Sequence, residues 1–230
     1  MKTLSVIIPV YNEEKTIAQV IKRVFLQEIG EWEKQVIVVD DGSTDGTDNQ
    51  LQIANNQFPN IKIVRHERNL GKGAAIRTGL KQATGDLVVI QDADLEYDPK
   101  DWLKMIKELQ NNPGLVAVYG SRELNPERKG YWFFVLGVRI LAKLITFLYG
   151  AEITDPYTCY KLFQADFLKR LDLKSNGFEI EAEITCKALR AGGKIKEVPI
   201  SYFPRSFSQG KKIKTKDGLR GILTIIKLSF

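Results

Sequence analysis

Asp92 and Asp94 stand two apart, directly after the apolar run at 86–91, and Glu96 continues the alternation. Alternate residues at a strand end turn to the same side, so the two carboxylates can converge on one pocket. Paired carboxylates suit a hard divalent cation, Mg2+ or Mn2+, whose remaining positions are filled by diphosphate oxygens and water. Such a cation neutralises charge on a departing nucleoside diphosphate. The spacing alone is common, and Asp98 ahead of Pro99 reads as an N-cap that would close an ordinary acidic loop.

Other polar clusters recur along the chain. In Asp40-Asp41-Gly42-Ser43-Thr44-Asp45-Gly46-Thr47, either acid can accept hydrogen bonds from a base or ribose, while Ser43, Thr44 or Asp45 caps the next helix. Asn69-Leu70-Gly71-Lys72-Gly73 opens a helix whose free N–H groups favour anions, but it has neither P-loop nor dinucleotide spacing. Arg122 can grip a phosphate through two hydrogen bonds. Arg205, Lys211, Lys212, Lys214 and Lys216 form the densest basic run, which reads as a solvated loop or as a lid closing on phosphates. His66, the one histidine, has no partner in sequence and receives no role. Cys159 and Cys186 belong to no metal or redox spacing and read as buried thiols.

These clusters need elements to position them. Apolar runs at 4–10, 35–40, 61–65, 86–91 and 115–119 alternate with helix-period segments near 13–27, 47–57, 72–83 and 100–110. That alternation predicts an α/β fold with a mostly parallel sheet and helices on both faces. Ligands bind such sheets outside the carboxyl ends of the strands, where the acidic clusters fall. The apolar segment 131–149 is broken by Arg139 and Lys143, four apart on one helix face, which argues against a span. An interfacial amphipathic helix and a buried helix or subunit contact are both open readings. A strand at 159–164, a helix at 179–191, a strand at 195–199, a basic loop at 205–216 and a helix from Asp217 complete the chain.

The 230 residues, 43% of them hydrophobic, support one domain with a full core and exclude disorder. Its halves divide as 1–122 for the nucleotide and 123–230 for the acceptor. A net charge of +6 suits anionic partners without choosing among them. The first apolar run is too short for a signal peptide and has no cleavage site, so a cytoplasmic location at the membrane face is expected.

Taken in order, Pro9-Val10-Tyr11-Asn12-Glu13, Val39 with the acidic cluster after it, Asn69 to Gly73, Asp92-Ala93-Asp94-Leu95 and Gly120-Ser121-Arg122 resemble the family 2 glycosyltransferases, which have a GT-A fold. Val198-Pro199-Ile200, followed by Arg205 and Lys211, is similar to the dolichol-phosphate mannose synthase branch and its bacterial polyprenyl-phosphate relatives. The resemblance implies that Pro9, Tyr11, Glu13, Val39 and Asp41 hold the donor's nucleoside. It implies that Asp92, Ala93, Asp94 and Glu96 meet metal and diphosphate, and that Arg122, Arg205 and Lys211 bind donor or acceptor phosphate. Glu96 stands where that branch usually has Gln, and Thr158-Cys159-Tyr160-Lys161 replaces a Ser-Gly-Phe-Arg-like segment. The processive branch's Gln-x-x-Arg-Trp is absent.

The expected activity is inverting transfer of one hexose, mannose or glucose, from a GDP- or UDP-sugar to a polyprenyl or dolichyl phosphate. Asp94, Arg122 and Arg205 would carry it, with Arg139, Lys143 and Lys161 toward the acceptor. A phosphate acceptor is already anionic at neutral pH and needs little base. A sugar-hydroxyl acceptor would need one, and Asp155, Glu179 and Glu181 are the candidates. The rivals are a nucleotidyltransferase, which would want a Gly-rich basic first loop, and a non-catalytic nucleotide- or membrane-binding module. No nucleic-acid partner is expected.

Overall fold

The computed structural model describes residues 2–58, 60–127, 132–206, 212 and 215–230. Strands β1 (Thr3–Val10), β2 (Glu33–Asp40), β3 (Ile61–Arg65), β4 (Leu87–Ile90) and β5 (Leu115–Ser121) follow the apolar runs closely. Helices α1 (Ile17–Leu26), α2 (Thr47–Gln57), α3 (Lys72–Gln82) and α4 (Trp102–Asn111) alternate with them. A 3-10 turn, Pro99–Asp101, precedes α4, and Asp98 caps it by accepting from the Lys100 N–H.

The second half adds α5 (Trp132–Tyr149), β6 (Lys161–Gln164), α6 (Ala165–Arg170), α7 (Ile180–Arg190), β7 (Lys194–Pro199) and α8 (Thr215–Lys227). Helix α6 is not foreseen by the sequence pattern, and β6 begins two residues later than expected.

Seven strands form one sheet in the order β3-β2-β1-β4-β6-β5-β7. Pairing is parallel except at β6, which runs antiparallel to both β4 and β5. Leu4 to Val10 and Leu87 to Ile90 are buried without alternation. Since neighbouring strand residues face opposite sides, such a run requires cover on both faces, the signature of a parallel core. Helix α3 packs so closely on the sheet that a Cβ on Gly79 would meet Ile7 at 2.5 Å.

In register, Val10 lies beside Asp40 and Ile7 beside Ile90. The carboxyl ends of β1, β2 and β4 therefore share one rim, and their polar loops open on it. A smaller apolar cluster joins Leu141 and Ile145 of α5, Ala182 and Cys186 of α7, and Ile225 of α8.

Candidate active site at the carboxyl rim

Asp94 follows β4 on the loop that the rim presents. Its Oδ2 lies 3.1 Å from Arg205 Nη2, and Arg205 Nη1 donates to both oxygens of Glu13 at 2.9 and 3.1 Å. Lys212 Nζ reaches the same Glu13 carboxylate at 2.7 Å and donates to the carbonyl of Tyr11. Thr16 fixes Glu13 from below, its hydroxyl 2.8 Å from Oε2 and 2.7 Å from the Ala93 carbonyl. Burial pushes the Asp94 carboxyl up to about 7, the charges of Asp92 and Glu96 push the same way, and Arg205 opposes them. A buried acid beside like charges lacks sufficient positive charge.

Asp92 is treated differently. Burial raises its carboxyl, but Lys72, 2.8 Å away, outweighs that and holds it below the usual range. Lys72 also lies 3.0 Å from Glu181, which pairs on its other oxygen with Lys161. The Lys72 ammonium is desolvated, yet Asp92 and Glu181 keep its pKa well above the ordinary value. Asp92, Lys72, Glu181 and Lys161 thus form a chain of alternating charge.

Arg122, at the end of β5, is clamped to Asp155 through Nε and Nη2, both at 2.7 Å. Its guanidinium stacks 5.1 Å from the centre of the Tyr202 ring, whose hydroxyl donates to Glu96 Oε2 at 2.6 Å. The segment after β7 is stitched to Glu96 twice more. Phe203 N–H donates to the Glu96 carbonyl at 2.9 Å and Arg205 N–H to Oε1 at 3.0 Å. Both carboxylate oxygens of Glu96, expected among the metal ligands, accept hydrogen bonds from the 202–205 strap.

The donor-side residues fall in two groups. Tyr11 is half-buried at the rim, whereas Pro9 and Val39 are buried partners in the β1–β2 register, with Ala93 buried nearby. Asp41, expected to face the nucleoside, is buried and accepts from Leu70 N–H, Gly71 N–H and His66 Nδ1 at 2.7–2.9 Å. His66, given no role from sequence, thereby tethers two strand-end loops, and its other nitrogen meets Thr78. Gly71 has φ of +102°, and a Cβ on it or on Gly73 would collide with the backbone at Ser175 and Asn176. The α3 start expected to greet an anion is thus partly closed by chain, with Ala74 N–H donating to the Asn176 carbonyl.

The acceptor-side expectations fare unevenly. Lys161 is fully buried, sealed by Glu181 and the Thr158 carbonyl, so it is not an exposed acceptor contact. Arg139 and Lys143 are exposed on α5, away from the acidic cluster's hydrogen bonds, and Arg139 pairs with Glu123 at 2.9 Å. Lys211 and Lys214 lie outside the described residues, as does Tyr131. Of the base candidates, Asp155 is occupied by Arg122 and Glu181 by two lysines. Glu179 keeps Oε2 buried with no hydrogen-bond partner among the described residues.

The structure also brings Lys72, Lys212 and Tyr202 to the site. Sequence reads Lys72 only as charge at an anion-favouring helix start and Lys212 only as part of the basic run, and Tyr202 has no signal beyond its place shortly before Arg205.

Among the described residues no three or more His, Cys, Asp or Glu side chains form a ready metal cage. The donor set nonetheless fits Mg2+ or Mn2+, which take one or two carboxylates and complete their shell from substrate phosphates. The charge-starved Asp94 is the observation that favours it.

Comparison with known proteins agrees with this architecture. Residues 5–172 match the model of glycosyl transferase family 2. A dolichol-phosphate mannosyltransferase of Pyrococcus furiosus is 28% identical over 90% of this chain, which spans only 58% of that protein's length. A dolichyl-phosphate beta-glucosyltransferase of Trichomonas vaginalis is 30% identical over 98% of this chain and 72% of its own. Among solved structures, glucosyl-3-phosphoglycerate synthase from Mycobacterium tuberculosis, in complex with Mn2+, UDP and glucosyl-3-phosphoglycerate, superposes with a TM-score of 0.76. That likeness covers 99% of this chain and 80% of the synthase at 21% identity, and shows the shared GT-A fold. With the rim carboxylates, the ordered motifs and more than half the chain matched, the protein belongs to glycosyl transferase family 2.

Proposed function

We propose that the protein transfers one hexose, mannose or glucose, from a GDP- or UDP-sugar to a polyprenyl or dolichyl phosphate, with inversion. The observation that carries this is the crowded Asp94 carboxyl after β4, paired with Arg205, in a rim where Lys212 pairs with Glu13 and Lys72 with Asp92. Asp94 and Asp92 would hold Mg2+ or Mn2+, which supplies charge neutralisation for the leaving nucleoside diphosphate. Glu96 positions the strap that bears Arg205. Arg122, oriented by Asp155, keeps Nη1 outside that two-point clamp and can direct it at a phosphate. The acceptor phosphate is its own nucleophile, so these residues contribute positioning and charge rather than proton removal. The relatives named for dolichyl phosphate support this acceptor.

A lipid acceptor places the protein against a membrane. Helix α5 exposes Phe133, Leu136, Ile140 and Phe147 at helical spacing, and α8 exposes Leu219, Leu223 and Ile226. Arg139, Lys143, Arg220 and Lys227 are exposed on the same two helices, which pack together. Apolar rows flanked by cations suit the surface of an anionic bilayer. Among the described residues no helix is long and apolar enough to cross one.

A second reading is transfer to a sugar hydroxyl, favoured by Glu179 Oε2, which has no hydrogen-bond partner among the described residues, as a base. Incubating the protein with GDP- and UDP-sugars, Mn2+ and polyprenyl phosphate, and following nucleotide release and lipid-linked sugar, separates the two. Release without lipid product under every donor would sink the lipid-phosphate reading and spare the family.

A further inference from the structure

We propose that Arg205 is a resident counter-cation of the metal site, which makes divalent-cation binding depend on the sugar nucleotide. The inference rests on the reading of Asp94 as a metal ligand and adds a linkage that reading does not contain.

Arg205 stands where an incoming cation has to act. Its Nη2 is 3.1 Å from Asp94 Oδ2, and its Nη1 holds Glu13 at 2.9 Å. A metal bound to Asp94 at coordinating distance would face the guanidinium across a few ångströms in a partly buried site, where like charges repel strongly. Metal and guanidinium therefore exclude one another at this carboxylate. A free divalent ion must evict Arg205, whose positive charge then has no phosphate to meet.

The donor changes this balance. A sugar nucleotide brings a doubly charged diphosphate, so donor and metal enter together as a neutral pair. Guanidinium matches phosphate oxygens in a two-point fashion that Asp94 does not offer it here. Arg205 Nε is also buried with no hydrogen-bond partner among the described residues, a donor that a phosphate oxygen would satisfy.

The exchange needs only a side-chain swing. The Arg205 backbone is pinned by its N–H to Glu96, and the preceding residues by the Phe203 N–H and the Tyr202 hydroxyl. The strap stays in place while the guanidinium passes from carboxylate to diphosphate. Lys212 remains on Glu13 and offsets the charge left there.

The test is Mn2+ titration of the full chain, with free ion followed by electron paramagnetic resonance, with and without GDP or UDP. Arg205→Ala should bind Mn2+ alone about tenfold more tightly than the unaltered protein, a shift of the size expected for one close charged contact. It should also lose most of the tightening that the nucleotide produces. Arg205→Lys keeps the charge and should stay near the unaltered affinity for Mn2+ alone. Arg205→Gln, which keeps hydrogen bonding without charge, guards against misfolding of the alanine variant and should behave like it. If both neutral variants, with unchanged circular dichroism, bind Mn2+ alone no more tightly, the inference is overturned. Donor turnover by the unaltered protein is scored separately: turnover with unmoved Mn2+ affinities defeats this inference alone, and tightened affinities without turnover defeat the transferase reading alone.

Discussion

Arg122 and Asp155 meet in a two-point clamp, Nε to Oδ2 and Nη2 to Oδ1, each at 2.7 Å, with Asp155 wholly buried. Burial raises the Asp155 carboxyl, but the Arg122 charge outweighs it and holds the pKa below the usual range. Because the folded value is depressed, the stabilisation is present above the unfolded pKa and is lost as pH falls through the folded one. Removing one partner strands the other. Asp155→Asn should cost about 3–5 kcal/mol and lower Tm at pH 7 by roughly 6–20 °C. Thermal melts at pH 7 and pH 3 check this: the gap between variant and parent should shrink at the lower pH.

Asp94 has the opposite sign. Its folded pKa of about 7 lies above the ordinary carboxyl value of 3.8, so the folded state grips the proton more tightly than the unfolded chain does. The metal-free protein therefore gains relative stability as pH falls from about 7 towards 4, and loses it as pH rises. Asp94→Asn fixes the neutral form. It should raise Tm at pH 8 without metal by about 2–4 °C, the shift expected for roughly 1 kcal/mol in a chain this size. The same variant should lose metal-dependent donor turnover, a trade of activity for stability. Equal melting temperatures at pH 8, with the variant still folded, would contradict the crowding argument.

Lys161 tests the acceptor assignment. It is buried against Glu181, so Lys161→Met should destabilise the protein by about 3 kcal/mol or more. Below the melting temperature the variant should leave the acceptor's KM unchanged. A raised KM with an unmoved Tm would return Lys161 to the acceptor surface, and steady-state kinetics beside a melting curve decide it.

The α5–α8 face predicts a separable membrane defect. Leu136→Ser, Ile140→Ser and Leu223→Ser together alter exposed positions, each expected to move stability by no more than about 0.5 kcal/mol. Flotation with vesicles containing anionic lipid should fall sharply while Tm holds. Binding by the parent should weaken with added salt, since exposed charges are screened within about 8 Å at physiological ionic strength. Undiminished flotation of the triple variant would clear this face of the role.

Much of the fold is legible because short, wholly apolar runs alternate with helix-period segments. Leu4 to Val10 and the run ending at Ile90 could only be strands buried on both faces, and the polar residues after them had to reach the ligand-binding rim. Periodicity says which face is buried but not what meets it. Lys72 could be seen opening a helix, yet nothing local announced Asp92 and Glu181 as its partners. Glu96 looked like a third ligand because it continued an alternation; its clasp on Tyr202 and Arg205 depends on a strap that returns from the far end of the chain. Asp41 and His66 are a similar case, two strand-end residues joined only once β2 and β3 lie in register.

The reversed strand β6 has a consequence for how the two halves of the chain can be separated. It lies between β4 and β5, pairing Val89 with Leu162 and Val118 with the same Leu162. The half of the chain that follows Arg122 thus supplies the middle of the sheet on which the first half is built. Cutting the protein after residue 122 would not release a free-standing domain. It would bare the backbone edges of β4 and β5, apolar and unpaired, and such edges recruit one another into aggregates. The two halves of the chain are interleaved in one fold, so they must be inherited, and engineered, as a single piece.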